Sequence, residues 1–471
     1  MTTRIRPTSV GTMLTAMVSV EVCSGVVQGY LPPLLPALGL DLHIDTTGQN
    51  NVYLLSQLAA AVLTPLLSRL GDLYGHRRLL RWCLALVAAG SLLMAAVPSS
   101  ATLMAGVAMQ GAVVGFLPLL IAILRSRAPR HNRFGIGLLV GGLLVAIGLG
   151  GLVAGVLSES HAEAGLWVAV PVACLAMVAG LVVPDSDTER GGRFNAGAAV
   201  LLTGALIGIV LAVAQGPEWG WGSPAALGTA AGGGVLLALW MIVEARSAHP
   251  LVDVRMFANR RLAVVCATTF CVSFGTIGFL GANATFLGTS TVDTGYGAGL
   301  GPQTIAMISL AMVLTGFAGS TLTRRLAGRL GDRAVLITAG VLAVAGFALL
   351  CVLHDSLGEY LIGALTVGFA DGLTEAITRT LSVEAVATED TALAAGLNEL
   401  SLSIGAAIGS AVIGALFAAH PLEHTGDVEL SGYLWSWGTC AALAAAGVAV
   451  ALGYRSARCT DDAVPAAPPL T

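Results

Sequence analysis

Glu21, Asp371, Glu375, Arg379 and Glu399 all lie inside long apolar runs of this 471-residue chain. A charged group far from water is costly, and acids and bases at membrane depth mark ion or substrate pathways. A carboxyl that is buried without a cation can take up and release a proton near neutral pH. Glu21 lies about ten residues into the first run and Asp371 about eleven from the outer end of the twelfth. At about 1.5 Å per residue, both fall near the middle of a bilayer. These two are the first candidates for holding a proton or cation. Glu375 lies one turn beyond Asp371 on the same face, and Arg379 follows at i+4, so Glu375 and Arg379 read as a structural ion pair. Glu399, beside Asn398 in the inner third of the thirteenth run, is a third coupling candidate. Its other readings are contact with substrate and polarity at an inner mouth. The eight histidines lie in loops or near the ends of runs, which leaves proton chemistry to carboxylates.

Other chemistries lack their residues. There is no H-E-x-x-H, no G-x-S-x-G at the mouth of a run and no Cys/His ligand set, which argues against an enzyme, a metal site and a cofactor. The eight cysteines form no C-x-x-C pair, and all but Cys459 lie in apolar runs, so they read as small buried side chains.

The elements that must position these acids are set by composition. The chain is 56% hydrophobic and 11% charged, with mean hydropathy +0.84. A soluble domain carries about 25% charged residues, and single cores stop growing near about 300 residues. The apolar surplus therefore implies an all-α polytopic membrane protein. Candidate spans fall near 11–39, 50–68, 79–97, 102–124, 135–157, 165–184, 196–215, 225–243, 262–287, 303–323, 334–353, 360–381, 392–418 and 432–454, fourteen in all. The first run passes Glu21 without a clean small-residue cleavage site and reads as a retained span, not a signal peptide.

Arginine placement tests that count. All 23 basic residues are Arg. With the N-terminus in the cytoplasm, every one falls in an inner loop or at an inner end. The outer loops carry acids instead, among them Asp41, Asp45, Glu159, Glu163, Asp293 and Asp355. This sorting obeys the positive-inside rule, and one missed or invented span would overturn it. An even count places both termini in the cytoplasm. The arginines read as topology signals, not as a nucleic-acid patch.

The charged island "SRLGDLYGHRR", Ser68 to Arg78, follows the second run, and "GRLGDR", Gly328 to Arg333, follows the tenth. With runs seven and eight set aside, each sits after the second span of a six-span group. The plan is six, two and six: a first bundle at 1–190, an inserted pair at 191–250, a second bundle at 251–456 and a disordered cytoplasmic tail at 457–471. Internal repeats of this kind mark transporter folds.

The first island resembles the loop signature of the major facilitator superfamily, G-x-L-x-D-R-x-G-R-R, matched at Leu70, Asp72, Gly75 and Arg77. Ser68, Leu73 and His76 depart from it. Fourteen spans with a central extra pair resemble the drug:proton antiporter branch of that superfamily. "GPEWGWGSP" (Gly216 to Pro224) and "HPLVDVRMFANRRLAV" (His249 to Val264) are similar to that branch's link between the extra spans and its entry to the second bundle. The resemblance implies that Asp72, Gly75 and Arg77 form a gating latch, with Asp72 facing a helix N-terminus or an Arg. The branch's G-x-x-x-G-P-x-x-G-G is reduced to small residues at Ala146, Gly150, Gly151, Ala154 and Gly155, without its Pro, and its span-four Arg is replaced by Val107.

A substrate cavity is expected between the halves at mid-depth. Gln28, Gln57, Gln110 and Asn283 are its candidate polar lining, and Tyr53, Phe116, Phe274 and Phe279 its candidate aromatic wall. The expected function is secondary active export of hydrophobic small molecules or antibiotics by proton antiport with alternating access. The expected setting is the bacterial inner membrane, with protons and lipid as partners, no nucleic acid and a monomeric state. A same-fold symporter or facilitator for a small metabolite remains the alternative, kept open by Val107 and the lost Pro. A sensor would need an output domain, for which the Pro/Ala-rich tail is too short.

Overall fold

The computed structural model describes residues 10–31, 34–35, 38, 41–43, 46–158, 162–186, 194–247, 250, 254–289, 291–421 and 428–454. The tail expected at 457–471 and the junction at 187–193 lie outside them. The helices are α1 Val10–Gly29, α2 Thr46–Tyr74, α3 His76–Ala96, α4 Ser100–Arg127, α5 Asn132–Ser158, α6 Glu163–Val182, α7 Ala196–Trp219 and α8 Pro224–Arg246. They continue with α9 Arg260–Thr276, which resumes as Gly278–Gly288, then α10 Pro302–Leu330, α11 Asp332–Val352, α12 Leu357–Glu384, α13 Thr391–Ala419 and α14 Leu430–Ala451. Each apolar run of the sequence carries one of them. Eleven helices among the described residues are long and apolar enough to cross a membrane, and Ala196–Ala212 is a shorter apolar stretch. There is no strand among the described residues, only an isolated bridge between Pro421 and Val428.

Local chemistry starts several helices where the apolar runs begin. Ser99 and Thr102 form a capping box at the head of α4, and Ser356 with Glu359 does the same for α12. Asn195, Ser223 and Asn259 accept backbone N–H groups at the heads of α7, α8 and α9. Each cap satisfies a donor that would otherwise be orphaned, contributing about 1 kcal/mol.

Large apolar side chains are turned outward on many helices, for example Trp82, Leu175, Val200, Val235 and Val352. In water this would be an aggregation surface, whereas in lipid it is the expected exterior. Without a hydrophobic drive between helices in lipid, close packing depends on small residues. A Cβ on Gly29 would strike the Ile147 backbone of α5, and one on Gly372 would strike the Gly316 backbone of α10. These contacts seat α1 on α5 and α12 on α10.

One core is built chiefly from α1 to α6, around Met17, Tyr30, Leu80, Phe116 and Leu120. A second lies among α9 to α14, around Phe279, Phe286, Tyr360, Tyr433 and Trp437, with Phe286 stacked 4.8 Å from Tyr360. A third joins Ala198, Leu202 and Leu206 of α7 and Trp240 of α8 to Leu262 and Cys266 of α9 and Leu397 of α13, with Val62 and Leu66 of α2 against it.

Candidate functional site

Glu21 is fully buried on α1, and neither carboxyl oxygen has a hydrogen-bond partner. The charges that reach it belong to Arg379, Glu399 and Glu375, more than 350 residues away in the chain. Arg379 is their hub. Its Nη1 lies 2.8 Å from Glu375 Oε2 one turn back on α12, and its Nε and Nη2 lie 2.5 and 3.1 Å from the two oxygens of Glu399 on α13. The helical period pairs Arg379 with Glu375 alone; the structure adds Glu399, which α13 brings in from the side. Asp371 lies one turn from Glu375 on α12, half-buried. Four carboxyl groups thus share one guanidinium. Glu375 and Glu399 are bound to it, while Glu21 and Asp371 have no cation of their own. Such a cluster can exchange protons, or admit a cation, with little cost in displaced ion pairs.

The described residues among those expected around a cavity fall in two separate cores and on the exposed side of α1. Gln110 is buried in the first core, its Nε2 3.0 Å from the Tyr30 hydroxyl and 2.8 Å from Ser91 Oγ. Asn283 Oδ1 accepts from the Tyr360 hydroxyl at 2.8 Å in the second core. Phe116 lies in the first core and Phe274 and Phe279 in the second, where Phe279 meets Phe347 edge-on at 5.7 Å. Gln28 is exposed and donates to Ser24 Oγ at 2.9 Å. The side chains of Tyr53 and Gln57 lie outside the described residues. The physical reason for the separation is local: each buried amide finds its partner on a neighbouring helix of its own half, as buried polar groups must.

On the Arg-rich face, two arginines tie the halves together. Arg133 on α5 grips both oxygens of Asp332 at 2.8 and 3.1 Å, and both oxygens of Glu384 at 2.7 and 2.6 Å. Arg125 on α4 donates to the carbonyls of Val383 and Val386 and to the Thr391 hydroxyl. Charge sorting places both arginines on the inner face but says nothing of their partners, so sequence reasoning missed this closure.

The two islands share letters but not geometry. Gly75 has φ 92°, and the chain breaks there between α2 and α3, so Asp72 belongs to the last turn of α2. In the echo the break falls at Gly331, φ 85°, so Asp332 opens α11. Positive φ suits Gly at both breaks. Both islands join the second and third helices of a group, yet the shared Asp lies before one break and after the other. Asp72 Oδ1 lies 3.1 Å from Nε2 of His76, the first residue of α3, and His76 Nδ1 lies 2.7 Å from Ser186 Oγ beyond α6. His76 replaces a basic residue of the family signature and supplies the partner itself. Arg77 donates to the Leu181 carbonyl at 2.8 Å. Among the described residues, no group of three or more His, Cys, Asp or Glu side chains is placed to hold a metal ion.

Comparison with known proteins agrees with this architecture. The chain is 28% identical over 407 residues to the tetracenomycin C resistance and export protein of Streptomyces glaucescens, spanning 83% of this chain and 72% of that one. It is 27% identical over 394 residues to the multidrug resistance protein Stp of Mycobacterium tuberculosis, spanning 82% and 72%. The fold resembles the crystal structure of the human organic anion transporter MFSD10 (TETRAN), with TM-score 0.66 at 17% identity over 94% of this chain and 99% of that one. The model of the Major Facilitator Superfamily matches residues 17–301 and again 265–468, and the chain belongs to that superfamily.

Proposed function

We propose that this protein exports hydrophobic small molecules, antibiotics among them, across a bacterial cell membrane in exchange for protons. The observation that carries the coupling is Glu21, a fully buried carboxyl without a hydrogen-bond partner, within electrostatic reach of the Arg379 cluster on α12 and α13. Glu21 and Asp371 carry the protons in this reading. Arg379 binds Glu375 and Glu399 beside them and places its charge within reach of Glu21. The named roles of the relatives, tetracenomycin C resistance and export and multidrug resistance, support the cargo class.

The topology belongs to the same reading: fourteen spans arranged as six, two and six, with both termini in the cytoplasm and the Arg-rich face inward. The Arg133–Asp332–Glu384 and Arg125 contacts then close the cytoplasmic side, and Asp72, Gly75, His76 and Arg77 brace the first bundle at that face. The protein works as a monomer, because each bundle has its own core and the two meet within one chain.

Val107 favours a second reading. It is buried in the first core where the antiporter branch places an Arg, so coupling cannot use that group. A facilitator or symporter of the same fold needs no such Arg. The deciding experiment expresses the chain in an efflux-deficient bacterial host and scores survival on a panel of hydrophobic antibiotics, with and without an agent that collapses the proton gradient. Export by proton antiport gives protection that vanishes with the gradient. Protection from no compound, with saturable uptake of a metabolite, establishes the second reading.

A further inference from the structure

A cavity of about 250 Å³ opens beside the head of α3, lined by Arg77, Arg78, Arg81, Trp82 and Asp185. It lies outside the carboxyl cluster and the inter-half closure, and proton exchange makes no use of it. Three guanidinium groups face one carboxylate, so the site is short of anions. Two of the arginines are fixed in place: Arg77 donates to the Leu181 carbonyl at 2.8 Å, and Arg81 donates to Gly180 and Leu181 at 3.3 and 3.2 Å. These bonds use only part of their donor capacity, and Arg77 Nε has no partner although it is buried. Arg78 is exposed and lines the cavity. A charge that served topology alone would need neither the cavity nor the anchoring.

The surroundings distinguish a lipid from a free anion. Trp82 is 68% exposed, and Leu86 continues its face one turn along α3. Val178, Leu181 and Val182 of α6 are exposed beside it. The basic cavity therefore sits at the end of an apolar groove between α3 and α6. Trp is favoured at the headgroup level of a bilayer, and basic pockets between helices at the cytoplasmic side suit anionic headgroups.

We propose that this groove binds an anionic phospholipid, with the phosphate held by Arg77, Arg78 and Arg81 and the glycerol and first acyl carbons lying along Trp82 and Leu86. Its assignment to the cytoplasmic leaflet rests on the topology proposed above, whereas the binding itself does not.

The test uses the full chain in detergent and native mass spectrometry of bound lipid, with phosphatidylglycerol, phosphatidylcholine and inorganic phosphate offered in separate arms. Phosphatidylglycerol is expected to be retained and phosphatidylcholine lost, with inorganic phosphate failing to displace the lipid at equal concentration. Arg78→Ala changes an exposed side chain, so the fold survives it. It should weaken retention by roughly fivefold, the effect of one cation near an anionic headgroup. Arg246→Ala, on the same Arg-rich face but outside the cavity, should leave retention unchanged. Equal retention of both lipids, displacement by phosphate, unchanged affinity in Arg78→Ala, or an equal loss in Arg246→Ala would each overturn the proposal.

Discussion

Replacing Glu21 by Gln tests the coupling scheme by the steepest drug gradient the protein can build. Gln keeps the volume of Glu and cannot carry a proton. In the structure two carboxyls, Glu21 and Asp371, have no cation of their own, so at most two protons move per cycle through them. One pH unit is worth about 1.4 kcal/mol per proton, which is a factor of about ten in concentration. With the membrane potential clamped at zero, everted vesicles and an uncharged substrate, the wild type should reach a limiting ratio of about one hundred per pH unit. Glu21→Gln should stop near ten, and Glu21→Gln with Asp371→Asn near one. Because a neutral amide and a protonated carboxyl cost similar amounts to bury, Tm should shift by less than about 4 °C. Substrate exchange at zero gradient should persist, separating lost coupling from lost binding. A Glu21→Gln protein that builds the wild-type ratio refutes the scheme, as does a wild type whose gradient ignores pH.

Arg379→Ala strands Glu375 and Glu399 as buried acids and should destabilise the protein by about 3–5 kcal/mol, read as a lower Tm in detergent. Adding Glu399→Gln should recover part of that loss. Asp332→Asn frees one side of Arg133 on the Arg-rich face; it should cost only about 1 kcal/mol of stability, since the pair is partly exposed, while raising thiol labelling of a Ser320→Cys reporter. His76→Ala leaves buried Asp72 and Ser186 without their shared partner and should cost about 1–3 kcal/mol; His76→Gln should restore part of it. Gly29→Val drives a side chain into the Ile147 backbone, and the yield of folded protein in the membrane should fall sharply if α1 and α5 meet as described.

How much could be read in advance follows from the range of each interaction. The apolar runs locate helices because hydropathy and length are properties of a contiguous stretch, and each run carries one. The Glu375–Arg379 contact is visible because the helical period fixes i and i+4 on one face. Glu399 reaches the same guanidinium from the next helix, and Glu21 approaches from the other half of the chain, so no local pattern announces either. Gln110 and Asn283 show the same dependence on packing. Polar residues in apolar runs suggest a wet cavity, but each is matched by a tyrosine hydroxyl on a neighbouring helix, Tyr30 and Tyr360, whose pairing depends on packing. The repeated Arg-Leu-Gly-Asp shows how letters and geometry separate. Which Gly becomes the break is decided by where the preceding helix ends, four residues after the motif Gly in one half and at that Gly in the other.

The third core has a bearing on how cargo arrives. It seals α7 against α2 and α13, the line along which the two bundles meet on one flank. A compound dissolved in the bilayer would find that flank shuttered. On the opposite flank α5 and α10 meet with no additional helix among the described residues over them, and Leu149, Val153, Met307 and Leu314 are exposed there. Lateral admission of a greasy molecule from the lipid, and its selection by shape before it reaches any charge, would then be one-sided. Helices α7 and α8 would act less as extra anchorage than as a door kept shut.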